Sequence, residues 1–162
     1  MIKIYTDSSF NDKYKVAGVG VVIDLEIEKK LFKNCFKLPN NNTGELAAIW
    51  YALSIARKYK PPFIIYTDSQ TAIDYINGVA EKKKDLTPEK IRNRLELKKW
   101  AYRIKKIMPI ECQILHIKAH TGHHNDNAVN NAHADQEAKN AVYKYINSLL
   151  EDARPKHPDF DR

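Results

Sequence analysis

The pattern Ile-Tyr-Thr-Asp-Ser occurs twice in this chain, as residues Ile4–Ser8 and again as residues Ile65–Ser69. Each copy places an aspartate, Asp7 or Asp68, directly after an apolar run that favours a β-strand. Strand ends hold side chains rigidly, and carboxylate oxygens are the ligands that Mg²⁺ prefers. An Asp-Ser pair is equally typical of a turn or a helix cap. Whether the two aspartates form a metal site therefore depends on where other carboxylates lie.

Around these two copies, the spacing of apolar residues alternates between strand and helix patterns. This spacing predicts strands over residues 3–6, 16–23, 30–38, 63–67 and 111–117, and helices over 44–59, 69–76, 87–106 and about 131–150. The short connections between the first three strands predict an antiparallel meander. Strands and helices then alternate, which is typical of an α/β fold.

The length of 162 residues, with neither a repeat nor a linker, predicts one domain over residues 1–150 and a flexible tail over 151–162. No apolar run reaches the roughly 20 residues of a membrane span, and the N-terminal segment lacks a secretory core. These features predict a soluble, cytoplasmic protein without a membrane partner, and we expect a monomer. Cys35 and Cys112 lie singly in apolar stretches, which predicts buried thiols rather than a disulfide or a zinc site.

The net charge of +7 is concentrated in one segment of the chain. Residues 81–106 contain 11 Lys or Arg and 4 Asp or Glu, whereas the rest of the chain has 16 of each sign. A local basic excess is typical of contact with a phosphate backbone, because each Lys or Arg that meets a phosphate releases a counterion. The alternative is a solvated helix face.

Two further carboxylates fall on the apolar faces of predicted helices. Glu45 begins the apolar stripe of the first helix, although Asn42-x-x-Glu45 also resembles a capping box. Asp135 shares a face of the last helix with Ala138 and Val142, where the alternative to a functional role is a salt bridge to a lysine. Carboxylates gathered at Asp7, Glu45, Asp68 and Asp135 would repel each other unless divalent cations neutralised them.

The order of these acids, with a histidine at position 120, resembles the type 1 ribonuclease H family. The resemblance covers nearly the whole chain and rests on five matching segments: Tyr5–Ser9, Asn41–Ala48, Tyr66–Gln70, Lys118–His123 and Asn131–Ala138. It implies a five-stranded mixed sheet in the order 3-2-1-4-5, with strands 1–3 antiparallel and helices on both faces. It also implies endonucleolytic cleavage of the RNA strand of RNA/DNA hybrids, with 5′-phosphate and 3′-hydroxyl ends.

The resemblance further implies roles for particular residues. Asp7, Glu45, Asp68 and Asp135 would hold two Mg²⁺ ions, with Mn²⁺ as a substitute and Asp7 between the two ions. His120 resembles the mobile histidine near the scissile phosphate. The implied substrate contacts are Ser8, Ser9, Asn41, Asn42 and Gln70 for the RNA strand, and Lys82, Lys83 and Lys84 as a short form of the basic protrusion.

The sequence departs from the family pattern at two places. Ser8 occupies the position where glycine commonly follows the first aspartate. The segment between His120 and Asp135 is longer than usual, and its Asp126 competes with Asp135 as the fourth ligand. Two alternative functions are a DNA-directed relative of the same fold, such as a transposase, integrase or junction resolvase, and a hybrid-binding module without catalysis.

Overall fold

A computed structural model describes residues 1–79, 86–118 and 125–153 of the chain. Five strands and four helices lie within these ranges, in the order β1 (Ile2–Asn11), β2 (Val16–Asp24), β3 (Lys29–Lys37), α1 (Asn41–Ala56), β4 (Phe63–Thr67), α2 (Gln70–Asn77), α3 (Pro88–Ile107), β5 (Cys112–His116) and α4 (Asp126–Asp152). The strands form one sheet in the order β3-β2-β1-β4-β5. β1, β2 and β3 pair antiparallel, whereas β4 pairs parallel with both β1 and β5. The predicted α/β fold and strand order are confirmed.

Helices cover both faces of the sheet. α1 packs on β1 and β2 and also contacts α3, and the main apolar core lies between this helical layer and the sheet. α4 packs on the opposite face, where Ala134 contacts Tyr5 and Val22. Because helices pack on both sides, β2 is buried along nearly its whole length.

Two glycines on β2 allow α4 to approach the sheet closely. A Cβ atom added to Gly18 would lie 2.1 Å from the Ala138 carbonyl oxygen, and one added to Gly20 would lie 1.9 Å from the Ala134 carbonyl oxygen. No real side chain tolerates such distances, so the helix backbone fits against β2 only because both residues lack a side chain. Asp135 follows Ala134 directly, so this contact also sets the position of the acid.

The largest difference from the predicted elements concerns β1. Asp7 was expected at a strand end, but β1 continues to Asn11 because its antiparallel pairing with β2 extends to Asn11 and Val16. Its parallel pairing with β4 stops earlier, at Tyr5 and Tyr66. The expectation of a strand end is therefore wrong for Asp7, although Asp68 does follow the last residue of β4.

The helix starts also differ from the predicted ones. α1 begins at Asn41 and is capped by Asn40, whose Oδ1 accepts a hydrogen bond of 2.8 Å from the Thr43 amide. The interpretation of Asn42 and Glu45 as a capping box is therefore wrong. α4 begins at Asp126, five residues before the predicted start, because the Asn125 side chain caps it.

Cys112 is buried and Cys35 half-buried, and both are free thiols. The predicted tail over residues 151–162 starts inside α4, which extends to Asp152, and residues 154–162 lie outside the described part of the chain. Among the helices that the structure describes, none is both long and apolar enough to cross a membrane.

Candidate active site

Asp7 lies in the middle of β1, and its carboxylate is held by the next residue. The Ser8 amide donates a hydrogen bond of 2.9 Å to Asp7 Oδ1, and Asp7 is only 6% exposed. Successive side chains of a strand point to opposite faces. Tyr5, two residues before Asp7, packs against Ala134 of α4, so Asp7 belongs to the face that α4 covers.

Glu45 lies in the second turn of α1 and approaches from the other layer of the fold. Its side chain is 5% exposed, and its Oε1 lies 3.1 Å from the Ser8 hydroxyl oxygen, which donates to it. Its Oε2 is buried and has no hydrogen-bond partner among the described residues. An ionised oxygen in that situation is costly unless a cation or solvent satisfies it.

Asp68 completes a group of three carboxylates. It is half-buried and directly follows β4, and the parallel pairing of β4 with β1 brings it beside Asp7. One carboxylate oxygen from each of Asp7, Glu45 and Asp68 can be chosen so that all three lie within 4.8 Å of one another. Three converging oxygens on rigid elements fit a hard divalent cation such as Mg²⁺ or Mn²⁺.

Asp135 approaches Asp7 from α4. It lies close enough to share a hydrogen bond with Asp7 when one of the two carboxyls is protonated. Its Oδ2 also pairs at 3.0 Å with Nζ of Lys139, one turn further along the helix, so a salt bridge and a place in the site occur together. Asp126 is exposed in the first turn of α4, nine residues or roughly 13 Å of helix before Asp135. The geometry therefore favours Asp135 over Asp126.

The electrostatics of the cluster are those of crowded like charges. Burial, followed by the charges of Asp68 and Asp135, raises the pKa of Asp7 from its ordinary 3.8 to about 8. Burial, followed by the charges of Asp7 and Asp68, raises the pKa of Glu45 well above its ordinary value. A divalent cation would remove this repulsion, so the acid cluster is chemically suited to binding one.

The acids lie together in an open cleft of about 360 Å³. Its lining consists of Asp7, Ser8, Asn41, Asn42, Glu45, Asp68, Ser69 and Asp135. The sequence predicted seven of these eight as site residues. It predicted Ser69 only as the start of a helix. The position of Ser69 directly after Asp68 could have indicated that it lines the site, and in the structure its side chain caps α2.

Two of the predicted site residues do not line the cleft, and four others lie outside the described part of the chain. Gln70 is exposed and donates a hydrogen bond of 2.9 Å to Asp74, and Ser9 is half-buried on β1; neither is among the described residues that line the cleft. His120 and the three lysines Lys82, Lys83 and Lys84 lie outside the described residues. α3 nevertheless retains most of the basic excess, with two Glu and eight Lys or Arg, of which seven are exposed.

Comparison with known proteins identifies the family. The RNase H family model matches residues 1–143. The chain belongs to the RNase H family. This RNase H is accordingly a nuclease of the ribonuclease H type, as the sequence predicted. No curated protein matches the chain significantly.

Solved structures similar to this RNase H share its fold. LC11-RNase H1, isolated from compost by a metagenomic approach, has a TM-score of 0.64 and 23% identity over 90% of this chain and 97% of its own. The same protein in complex with an RNA/DNA hybrid has a TM-score of 0.60 and 22% identity, with 90% and 99% coverage. RNase H1 from the archaeon Halobacterium salinarum has a TM-score of 0.60 and 18% identity, with 88% and 98% coverage.

Proposed function

We propose that this RNase H hydrolyses the RNA strand of RNA/DNA hybrids with the help of two divalent cations, leaving 5′-phosphate and 3′-hydroxyl ends. One observation carries the proposal: oxygens of Asp7, Glu45 and Asp68 converge within 4.8 Å at an open cleft that Asp135 also lines. The family membership of the chain and the hybrid bound to LC11-RNase H1 support the choice of substrate.

The four acids would divide the work of holding the cations. Asp7 lies within 4.8 Å of Glu45 and Asp68 and also interacts with Asp135, so it would help to hold both cations. When bound, Mg²⁺ or Mn²⁺ would activate the attacking water and neutralise the charge that develops on the phosphate and the leaving oxygen. The buried Oε2 of Glu45, which lacks a hydrogen-bond partner among the described residues, would be satisfied by binding a cation.

Recognition of the RNA strand would depend on hydroxyl and amide groups beside the acids. Asn41 and Asn42 line the cleft from the first turn of α1, where side-chain amides can hydrogen-bond the 2′-hydroxyls that distinguish RNA from DNA. Ser9 and Gln70 remain predicted contacts beyond the cleft. His120 remains the predicted mobile histidine that assists proton movement or product release.

The basic segment would hold the other parts of the hybrid. α3 presents exposed lysines and arginines, and the sequence adds Lys82, Lys83 and Lys84 just before it. Phosphate contacts of this kind supply affinity and not sequence selectivity. The monomeric state and the cytoplasmic location also remain predictions.

A cleavage assay tests the proposal directly. An RNA strand labelled at one end is annealed to DNA and incubated with the protein and Mg²⁺, beside duplex DNA and duplex RNA of the same sequence. We expect cleavage of the hybrid alone, and loss of cleavage but not of hybrid binding in Asp7→Asn and Asp68→Asn. A 5′-phosphate-dependent exonuclease then degrades the downstream fragment, which carries the new 5′ end, if the ends are as proposed.

A matched pair of variants on one helix tests the fourth acid. Asp135→Asn should lose cleavage, whereas Asp126→Asn, two and a half turns earlier and exposed, should retain it. Equal cutting of duplex DNA would favour a DNA-directed nuclease. Absence of cutting with every divalent metal would favour a binding module.

A further inference from the structure

Ser8 contacts two of the carboxylates at once. Its amide donates to Asp7 Oδ1 at 2.9 Å, and its hydroxyl oxygen lies 3.1 Å from Glu45 Oε1 and 3.2 Å from Asn41 Oδ1. Ser8 is 9% exposed, so these hydrogen bonds are largely shielded from solvent. A glycine at this position would keep the amide contact to Asp7 but lose the contact to Glu45.

The fold provides a fitted space for this side chain. Alternation along β1 turns Ser8 away from the Asp7 side and toward α1. A Cβ atom added to Gly44 of α1 would lie 2.9 Å from the Ser8 hydroxyl oxygen and 3.0 Å from Cβ of Ala17. Gly44 therefore leaves room for the hydroxyl beside Glu45, and the surrounding backbone and side chains keep it there.

The number of available protons decides the direction of the hydrogen bonds. A serine hydroxyl carries one proton, and an ionised carboxylate can only accept. Both Glu45 Oε1 and Asn41 Oδ1 stand as acceptors toward that one proton. The two ends of an asparagine amide are interchangeable in shape. With the Asn41 amide turned, its NH₂ group donates to the Ser8 hydroxyl oxygen and the Ser8 hydroxyl donates to Glu45 Oε1, so the single Ser8 proton has one acceptor.

We propose that Ser8 is a positioning residue for the metal site, which fixes the Glu45 carboxylate through Oε1 and leaves Oε2 for the cation. The hydroxyl is thereby committed to α1 and does not contact the RNA strand, although the family resemblance implies that Ser8 is one of the residues that do. This inference rests on the proposed function of the acid cluster as a divalent metal site. A side chain that orients a metal ligand alters metal affinity even when the fold is intact.

The test measures metal binding without substrate. Titration calorimetry with MnCl₂ is carried out on the full chain for wild type, Ser8→Ala, Glu45→Gln and the double variant. Ser54→Ala is the matched control, because Ser54 lies in α1 and its hydroxyl donates a hydrogen bond of 2.9 Å to the Trp50 carbonyl oxygen of the same helix, outside the cleft. We expect Ser8→Ala to weaken Mn²⁺ binding by about 10- to 100-fold, and Ser54→Ala to leave it unchanged.

Dependence on Glu45 separates positioning from a general effect on the fold. In the Glu45→Gln background, Ser8→Ala should cause no further loss of Mn²⁺ affinity, because the carboxylate that it positions is gone. In cleavage of the hybrid, Ser8→Ala should raise the Mg²⁺ concentration needed for half-maximal rate, with most of the rate recovered at saturating Mg²⁺.

The outcomes distinguish this inference from the proposed function. Wild-type Mn²⁺ affinity in Ser8→Ala, or an equal loss with and without Glu45, would overturn the positioning role even if wild type cleaves hybrids. Weaker Mn²⁺ binding that depends on Glu45 would support the role even if wild type cleaves no hybrid.

Discussion

Replacing Gly20 with alanine tests whether the position of α4 governs the active site. Gly20 pairs with Asp7 across the β1–β2 ladder, and its missing side chain lets the Ala134 carbonyl approach. An alanine Cβ would lie 1.9 Å from that oxygen and 2.7 Å from the Ala138 amide nitrogen. Both atoms belong to helix backbone, so neither can rotate away as a flexible side chain would.

The size of the expected displacement follows from these distances. Ordinary contact begins at 3.4 Å, so the helix must retreat by about 1.5 Å from β2 at Ala134. Asp135 is the next residue and would move with it away from Asp7. Overpacking of this kind costs about 1 to 3 kcal/mol of unfolding free energy, and a misplacement of about 1 Å in an active site can lower the rate by about 100-fold.

The assay compares two Gly→Ala variants by urea unfolding and by cleavage of the labelled hybrid. Gly78 ends α2 with a φ of 72°, and a Cβ there would meet only Lys105 Nζ at 4.0 Å. Gly78→Ala should therefore cost roughly 1 to 2 kcal/mol through backbone strain alone, without moving Asp135. We expect both variants to lose stability and only Gly20→Ala to lose activity by about 100-fold. Full activity in a destabilised but folded Gly20→Ala protein would refute the reasoning.

Three other predictions concern charge, pH and capping. In metal-free protein, the pKa of Asp7 is raised from 3.8 to about 8, so this group lowers stability progressively as the pH rises through that window. Asp7→Asn should therefore become increasingly more stable than wild type between pH 4 and 8, by up to about 1.4 kcal/mol per pH unit. Added Mg²⁺ should stabilise wild type far more than it stabilises Asp7→Asn. A difference in unfolding free energy between the two proteins that stays constant across pH, measured with urea, would contradict this. Replacing Lys82, Lys83 and Lys84 with alanine should reduce the slope of log binding constant against log salt by up to about 2.7, and an unchanged slope would indicate a solvated surface. Asn40→Ala should remove the cap of α1 and lower the unfolding free energy by about 1 kcal/mol, whereas an unchanged urea midpoint would show that the cap contributes nothing.

The sequence predicted the elements with strong apolar spacing and missed the start of α4 for a physical reason. The first turns of this helix face the sheet with polar residues, because the Tyr5 hydroxyl donates to Asn127 Oδ1 and Asn130 Nδ2 donates to Asp24 Oδ2 at 3.2 Å. Asn130 is fully buried. A prediction based on the spacing of apolar residues misses a helical turn that packs through asparagine. The hydrogen-bond partners of those asparagines lie more than a hundred residues away in the sequence.

The acids were predictable for a different reason. Asp135 and Glu45 lie on helix faces whose neighbours are apolar, and a charge on such a face is a signal even without a structure. The orientation of the Ser8 side chain was also predictable, since side chains alternate along a strand and Ser8 therefore points to the face of β1 opposite Asp7. The hydrogen bond between Ser8 and Asn41 and the space left by Gly44 were not predictable from the sequence, because both depend on how closely α1 packs against the strand.

The middle position of Asp7 in its strand explains how acids from the sheet and from both helical layers meet. β4 ends at Thr67, and β1 continues beside β2 to Asn11. Asp7 therefore lies just beyond the last β1–β4 pair, where Asp68 follows the end of β4 and the neighbouring edge is open to the cleft. At a strand end, Asp7 would have lacked the β2 pairing that fixes it opposite Gly20. Strand continuation on one side and termination on the other thus give the site both its rigidity and its access.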